Sequence, residues 1–217
     1  MWCIPTIDQE FIERMEEVLT LYARPYDRTQ PVRCFDEKSK QLREDTRPSI
    51  PATPGAARRS DYEYRRNGTA NLFLTVAPQA GYRTVRVTPR RTRQDFAHEM
   101  RRIAERVYPD AARIHVVLDN LNTHRAASLA ATFGTAEAER LMERIEFHHT
   151  PTHASWLNMA EIELSILGRQ CLNQRIPTAR ALQRAVSRWQ SGSNRRHRRI
   201  RWKFTVRDAR NVFRYNT

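Results

Sequence analysis

Two aspartates follow short apolar runs in the same way. Asp36 closes "VRCFD" and Asp119 closes "RIHVVLD", so each stands at the C-terminal end of a candidate strand. Open α/β sheets gather their ligands at that edge. By the two-residue period of a strand, Val32, Cys34 and Asp36 share one face, as do His115, Val117 and Asp119. Paired strands lie about 4.8 Å apart, so pairing of these two would send both carboxylates into one small volume. Two negative charges there repel, and one pKa rises. A divalent cation removes the conflict, and hard oxygen donors suit magnesium or manganese. Either aspartate alone reads as the start of a turn, a common role for this residue. Both together, in a strongly basic chain, favour the shared cation.

A third carboxylate lies in "ASWLNMAEIELSIL". In a helix beginning near Asn158, at about 100° per residue, Glu161 shares a face with Asn158, Ser165 and Gly168. Glu163 points about 200° away, so the two glutamates cannot serve one site. Asn158 and Glu161 also have the spacing of a helix N-cap and its reciprocal partner. Spacing alone leaves Glu161 open between capping and chemistry.

These side chains need a frame. Residues 9–21 carry apolar positions at helical spacing, and a short strand follows, ending at Asp36. Residues 43–68, rich in Arg, Pro and Gly, read as a long basic loop. "NLFLTVAP" and "YRTVRVTP" around "QAG" give a hairpin. An amphipathic helix is predicted over 94–108, then the strand into Asp119, a helix over 125–142 and a strand in "RIEFHH". A helix over 158–172 comes next, and a last one begins after Pro177 with Thr178 as its cap. A hairpin followed by alternating helix and strand predicts an α/β fold: a mixed sheet with helices on both faces.

The totals name the partner. The 217 residues hold 38 Lys and Arg against 24 Asp and Glu, a formal charge of +14, and the sequence pI is near 10.7. Such a field attracts polyanions, nucleic acid first; a membrane reading lacks a long apolar span. Cys3, Cys34 and Cys171 are odd in number, widely spaced and free of CxxC spacing, so neither a disulfide framework nor a structural zinc site is indicated. With no signal peptide pattern, a reducing cytoplasm is the expected setting. His148, His149 and His153 are loosely spaced, with no Cys or acidic residue immediately beside them, so they do not read as a zinc motif. They, with His124 and Asn120, fit better as lining of the site or contacts to phosphate.

The stretches "CFDEKSKQL", "DYEYRRNGTANLF", "VVLDNLNTH", "HTPTHASWLNMAEIELSIL" and "IRWKFT" together resemble the catalytic domain of bacterial insertion-sequence transposases of the mariner-like DDE superfamily. The resemblance covers nearly the whole chain. It implies an RNase H-like fold in which Asp36, Asp119 and Glu161 bind two Mg2+ or Mn2+ ions and cleave DNA. Glu161 is preferred to Glu163 because the family's Asn-x-x-Glu pattern falls on Asn158 and Glu161. Between Asp119 and Glu161 stand 41 residues, long for the superfamily, which suggests an extended intervening helix. The implied layout is a helical lead-in over 1–30, the catalytic domain over 31–190 and a basic segment over 191–217. The implied partners are double-stranded DNA, both transposon ends and a TA target, and a second copy of the chain.

Phosphate contacts are expected from Arg58, Arg59, Arg65 and Arg66 in the basic loop and from Arg195, Arg196, Arg198, Arg199, Arg201 and Lys203 near the end. Asn120, His124, His153 and Asn158 are the expected supporting residues of the site. Trp202, inside the terminal run, reads as a packing residue more than a base-stacking one. Family members usually carry helix-turn-helix segments before the catalytic domain, and this sequence starts almost directly at it. That fits a second reading frame or a truncated remnant. Two other readings are a remnant that only binds DNA and an RNase H-like nuclease for branched or hybrid substrates.

Overall fold

The computed structural model describes residues 7–57, 59 and 61–215; Cys3 and Arg58 fall outside these. Helix α1 (Gln9–Ala23) is capped by the Asp8 carboxylate, which accepts from the Phe11 amide. Then come β1 (Val32–Asp45), β2 (Tyr64–Ala77), β3 (Tyr82–Thr88) and α2 (Arg93–Arg102), whose last turn widens into a π segment at Ile103–Val107. Strand β4 (Ile114–Leu118), helices α3 (Ala126–Phe133) and α4 (Thr135–Met142), and strand β5 (Ile145–His149) complete the sheet layer. Helices α5 (Met159–Leu167), α6 (Ala179–Arg195) and α7 (Val206–Phe213) follow.

The sheet order is β3-β2-β1-β4-β5. The first three strands pair antiparallel, while β1, β4 and β5 run parallel. Alternation along β1 divides the interior. Val32 and Cys34 join Leu72, Leu74 and Val117 in a core under α1, α5 and α6. Phe35, one residue out of phase, joins Phe73, Val116 and Leu118 in a second core under α2, α3 and α4. Each such side chain contributes about 1.5–3 kcal/mol by leaving water, so a one-residue slip of β1 would be costly on both faces. The sheet is mixed and helices cover both its faces, as the element order predicts.

Three expectations need correction. Strand β1 does not end at Asp36; it runs nine residues further, to Asp45. Its partner β2 begins at Tyr64, so the loop expected over 43–68 shrinks to 46–63. The extension is a mostly polar ribbon that places Leu42, Ala70 and Leu72 in the core and also carries cross-strand pairs. Arg65 reaches Glu44 at 2.5 Å, and the Arg43 guanidinium lies 4.6 Å from the centre of the Tyr64 ring. The helix expected over 125–142 is broken at Gly134, whose φ of 87° an L side chain rarely adopts.

The terminal basic run is pinned to the fold. The Ile200 amide donates to the Pro78 carbonyl, and Trp202 packs on Tyr22 and Trp156 at 5.5 and 6.3 Å. Gly81 makes this possible, because a Cβ there would stand 2.8 Å from the backbone of His197. No helix among the described residues is long and apolar enough to cross a membrane.

Candidate active site

The parallel register between β1 and β4 sets Val32 beside His115 and Cys34 beside Val117. Two residues further along each strand stand Asp36 and Asp119. Here β4 stops at Leu118, while β1 continues against β2 alone. The end of β4 therefore opens a gap beside β1, and the two carboxylates face it. Helix α5 closes the other side. Its N-cap Asn158 accepts from the Ala160 amide at 3.0 Å and donates through Nδ2 to the Phe35 carbonyl at 2.9 Å. That one buried side chain thus ties the start of α5 to the peptide next to Asp36. The result is a cleft of about 470 Å³ lined by Asp36, Asp119, Asn158 and Glu161, with Glu37, Lys38, Ser155 and Ser165 around them.

The helix answers the question its spacing left open. Asn158 caps through Ala160, no reciprocal bond from Glu161 forms, and nothing among the described residues pairs with the Glu161 carboxylate. Glu163 points inward, 4% exposed, and both its oxygens are held by Arg83 at 2.6 and 3.0 Å. One glutamate is neutralised and buried; the other is free in the cleft.

Electrostatics separate the two aspartates. Burial pushes the Asp36 carboxyl up to about 7, and the negative charges of Asp119 and Glu161 push the same way. Burial also acts on Asp119, yet the hydrogen bond and charge of His124 outweigh it and leave this carboxyl below its ordinary value. His124 is fully buried, edge-on to Phe35 at 5.1 Å, with Nδ1 2.5 Å from Asp119 and Nε2 3.4 Å from Glu37. Burial disfavours its charge, but the two carboxylates prevail and raise it to about 9. An imidazolium thus holds Asp119 ionised and in place. Among the described residues no Lys or Arg forms an ion pair with Asp36 or Glu161, so the cleft carries uncompensated negative charge on a chain of +14.

Over residues 31–183 the sequence matches the DDE superfamily endonuclease family. The chain belongs to that family. Its fold is RNase H-like and resembles that of the Mos1 transposase. It aligns with a structure of the Mos1 transposase paired-end complex with left transposon end at a TM-score of 0.58 and 17% identity, over 88% of this chain and 57% of that one. Against the Mos1 mariner paired end complex with Mn the values are 0.57 and 16%, over 88% and 58%. Against the paired end complex with Mg they are 0.60 and 15%, over 99% and 65%. The chain therefore spans 57% to 65% of the length of these Mos1 chains. No curated protein sequence matches it.

The donor set in the cleft fits the cations that the family's acidic residues imply. Three carboxylates supply only hard oxygen, the donor that suits magnesium or manganese. The supporting residues divide. Asn120 clamps the end of β4, accepting from Arg14 at 2.7 Å and donating to the Thr150 carbonyl. His149 donates through Nδ1 to the Asp119 carbonyl at 3.1 Å. His153 is not in the cleft; with φ at 63° it turns into a neighbouring pocket of about 210 Å³ beside Asp8, Phe11 and Arg14. Arg59, Arg65 and Arg66, and Arg195, Arg196, Arg198, Arg199, Arg201 and Lys203, are all exposed. Sequence reasoning missed Glu37 and Lys38, which follow Asp36 in "CFDEK", because the strand was expected to end at Asp36 and it continues to Asp45.

Proposed function

We propose that this chain is the catalytic part of a transposase that cleaves and joins double-stranded DNA, with Asp36, Asp119 and Glu161 as its metal-binding carboxylates. The observation that carries the reading is the cleft itself: three carboxylates from three separate elements, two of them without any protein cation, on a strongly basic chain. Two Mg2+ or Mn2+ ions, when bound between these carboxylates, would supply charge stabilisation at the scissile phosphate and lower the pKa of the attacking group. The reaction is in-line displacement at phosphorus: one P–O bond forms, the bond to the leaving oxygen breaks, and no covalent bond to the protein is needed. Water as nucleophile gives end cleavage; a DNA 3′-hydroxyl gives strand transfer.

The chain's own residues do the positioning. His124 keeps Asp119 ionised and aimed, and Asn158 fixes Glu161 relative to Asp36. The exposed arginines near the end, with Lys203 and those of the β1–β2 ribbon, hold phosphates without reading sequence, so their contribution falls steeply with salt. Action as a dimer on paired transposon ends belongs to the same reading, supported by the paired-end complexes in which Mos1 was solved.

The test is nicking of supercoiled plasmid by wild type and by Asp119→Asn, with magnesium, manganese or EDTA. The reading requires metal-dependent nicking that the substituted protein loses while still binding DNA. Equal nicking by both proteins would overturn it. DNA binding without nicking by wild type would favour a chain that only binds DNA.

A further inference from the structure

Strand β4 carries a second group of metal-type donors at its other end. His115 lies opposite Glu146 in the β4–β5 register, and His148 follows two residues later on the same face. The three side chains converge. His115 Nδ1 and His148 Nε2 are 2.9 Å apart, and the Glu146 oxygens lie 3.6 Å from the first and 3.8 Å from the second. Both histidines are buried, at 4% exposure, and Glu146 closes the group from the solvent side.

We propose that His115, His148 and Glu146 form a zinc site, distinct from the acidic cleft, that fastens the foot of β4 to β5 and α1. A tetrahedral ion with bonds of about 2.0–2.1 Å needs donors roughly 3.3 Å apart. The three observed separations bracket that value. A hydrogen bond between the two imidazoles would account for the 2.9 Å contact alone. It does not use the Glu146 carboxylate, which Arg113 holds at 3.0 Å and which faces both nitrogens at distances too long for hydrogen bonds. The donor set selects the ion: two imidazole nitrogens and one carboxylate suit zinc and its first-row neighbours, not magnesium or calcium.

The surroundings fit a ligand role. His148 presents its other nitrogen, Nδ1, to the Glu17 carboxylate of α1 at 2.7 Å, the outer carboxylate that commonly orients a metal-bound imidazole. Two cations border the site. Arg24 lies 3.5 Å from His115 Nε2, and Arg113 pairs with Glu146 at 3.0 Å. Both side chains are exposed and can turn to water: an ion on Nδ1 leaves the His115 proton on Nε2, facing Arg24, and takes the Glu146 oxygen from Arg113. The acidic cleft is separate, since Asp119 stands four residues, or about 13 Å, along the strand.

The test uses the full chain carrying Asp119→Asn, so that the acidic cleft contributes little, stripped with EDTA and titrated with Co2+ and then Zn2+. One Co2+ per chain, with the intense visible absorption of a tetrahedral site, should appear and be displaced by Zn2+ but not by Mg2+. Glu146→Gln should weaken binding at least tenfold, and Glu17→Gln by about 10–100-fold, the usual effect of an outer-shell loss. Both side chains are partly exposed, so these variants should fold. Glu146→Gln in the otherwise wild-type chain should nick plasmid normally, which separates failure of this site from failure of the acidic cleft. Absence of the tetrahedral band, or equal affinity in Glu146→Gln, would overturn the proposal.

Discussion

The two ends of β4 invite comparison, because one short strand presents His115 at its foot and Asp119 at its tip on the same face. At the foot, the neighbouring strand supplies Glu146 and His148, the strands are fully paired, and two of the three donors are buried nitrogen. At the tip, β4 stops, β1 continues against β2 alone, and the donors are oxygen in an open cleft. One sheet can therefore make two kinds of cation site. Full pairing gives a compact cluster of three donors, which leaves a tetrahedral ion one position for water. An interrupted pairing gives a concavity large enough for an ion together with a phosphate. Neutralisation follows the same line: Glu163 deep in the core has Arg83, while Asp36 and Glu161 have no cation of their own.

The largest effects should come from the tip. Asp119→Asn, Asp36→Asn and Glu161→Gln should each lower plasmid nicking by about 10³-fold, as losing several kcal/mol of charge stabilisation implies. Gel assays of supercoiled DNA would measure it, and a variant at the foot, Glu146→Gln, should leave nicking unchanged. If Glu146→Gln were as damaging as Asp119→Asn, the two ends would not be independent.

Asn158→Ala comes next. It removes a cap and the bond to Phe35, and should cost about 1–2 kcal/mol in urea unfolding. Nicking should fall more than stability, by about 10²-fold, because Glu161 loses its position relative to Asp36. Equal nicking rates at saturating metal would show that the helix N-terminus is held by other contacts.

The effect of pH follows from the charges at the tip. The Asp36 carboxyl is raised to about 7, so between the ordinary carboxylate range and pH 7 the folded chain binds more protons than the unfolded one. Metal-free stability should therefore fall as pH rises from about 4 to about 7, and Asp36→Asn should remove that part of the slope. Metal must displace the same proton, so nicking should weaken below pH 7. His124, raised to about 9, contributes stability that is full below its unfolded value near 6.5 and is lost as pH rises through about 9. The two groups thus act in successive windows, Asp36 below pH 7 and His124 above it. Urea midpoints across pH 5–10 for wild type, Asp36→Asn and His124→Gln would check both.

The smallest effect is spread over the surface. Replacing Arg198 and Arg199 together by alanine should reduce DNA affinity at every sequence alike and flatten the salt dependence by about one unit for each phosphate no longer neutralised. Binding measured at two or three salt concentrations would show it.

Much of this was legible in the sequence, for physical reasons that can be named. Strand β4 is five buried residues, so it reads as an apolar run; period two in β1 and β4 then set Asp36 beside Asp119. The turn of α5 separated Glu161 from Glu163 before any contact was known. The extension of β1 was hidden because Leu42 is its one buried apolar residue, and the Arg–Glu and Arg–Tyr pairs across the strands leave no apolar alternation. The break at Gly134 had its signal, a lone glycine in a helical pattern, and helix periodicity on both sides masked it. The histidine cluster was missed because His148 was weighed against its immediate neighbours. Its partners stand two residues away, at Glu146, and on another strand, at His115.

The most direct test of the contrast is a titration with Mn2+ followed by the electron paramagnetic resonance of free Mn2+ at pH 8. Wild type should remove Mn2+ from solution, Asp119→Asn should lose most of that capacity, and Glu146→Gln should keep most of it. Retention by Asp119→Asn together with loss in Glu146→Gln would contradict the account, because the hard-cation site would then lie at the foot of β4 and not at its tip.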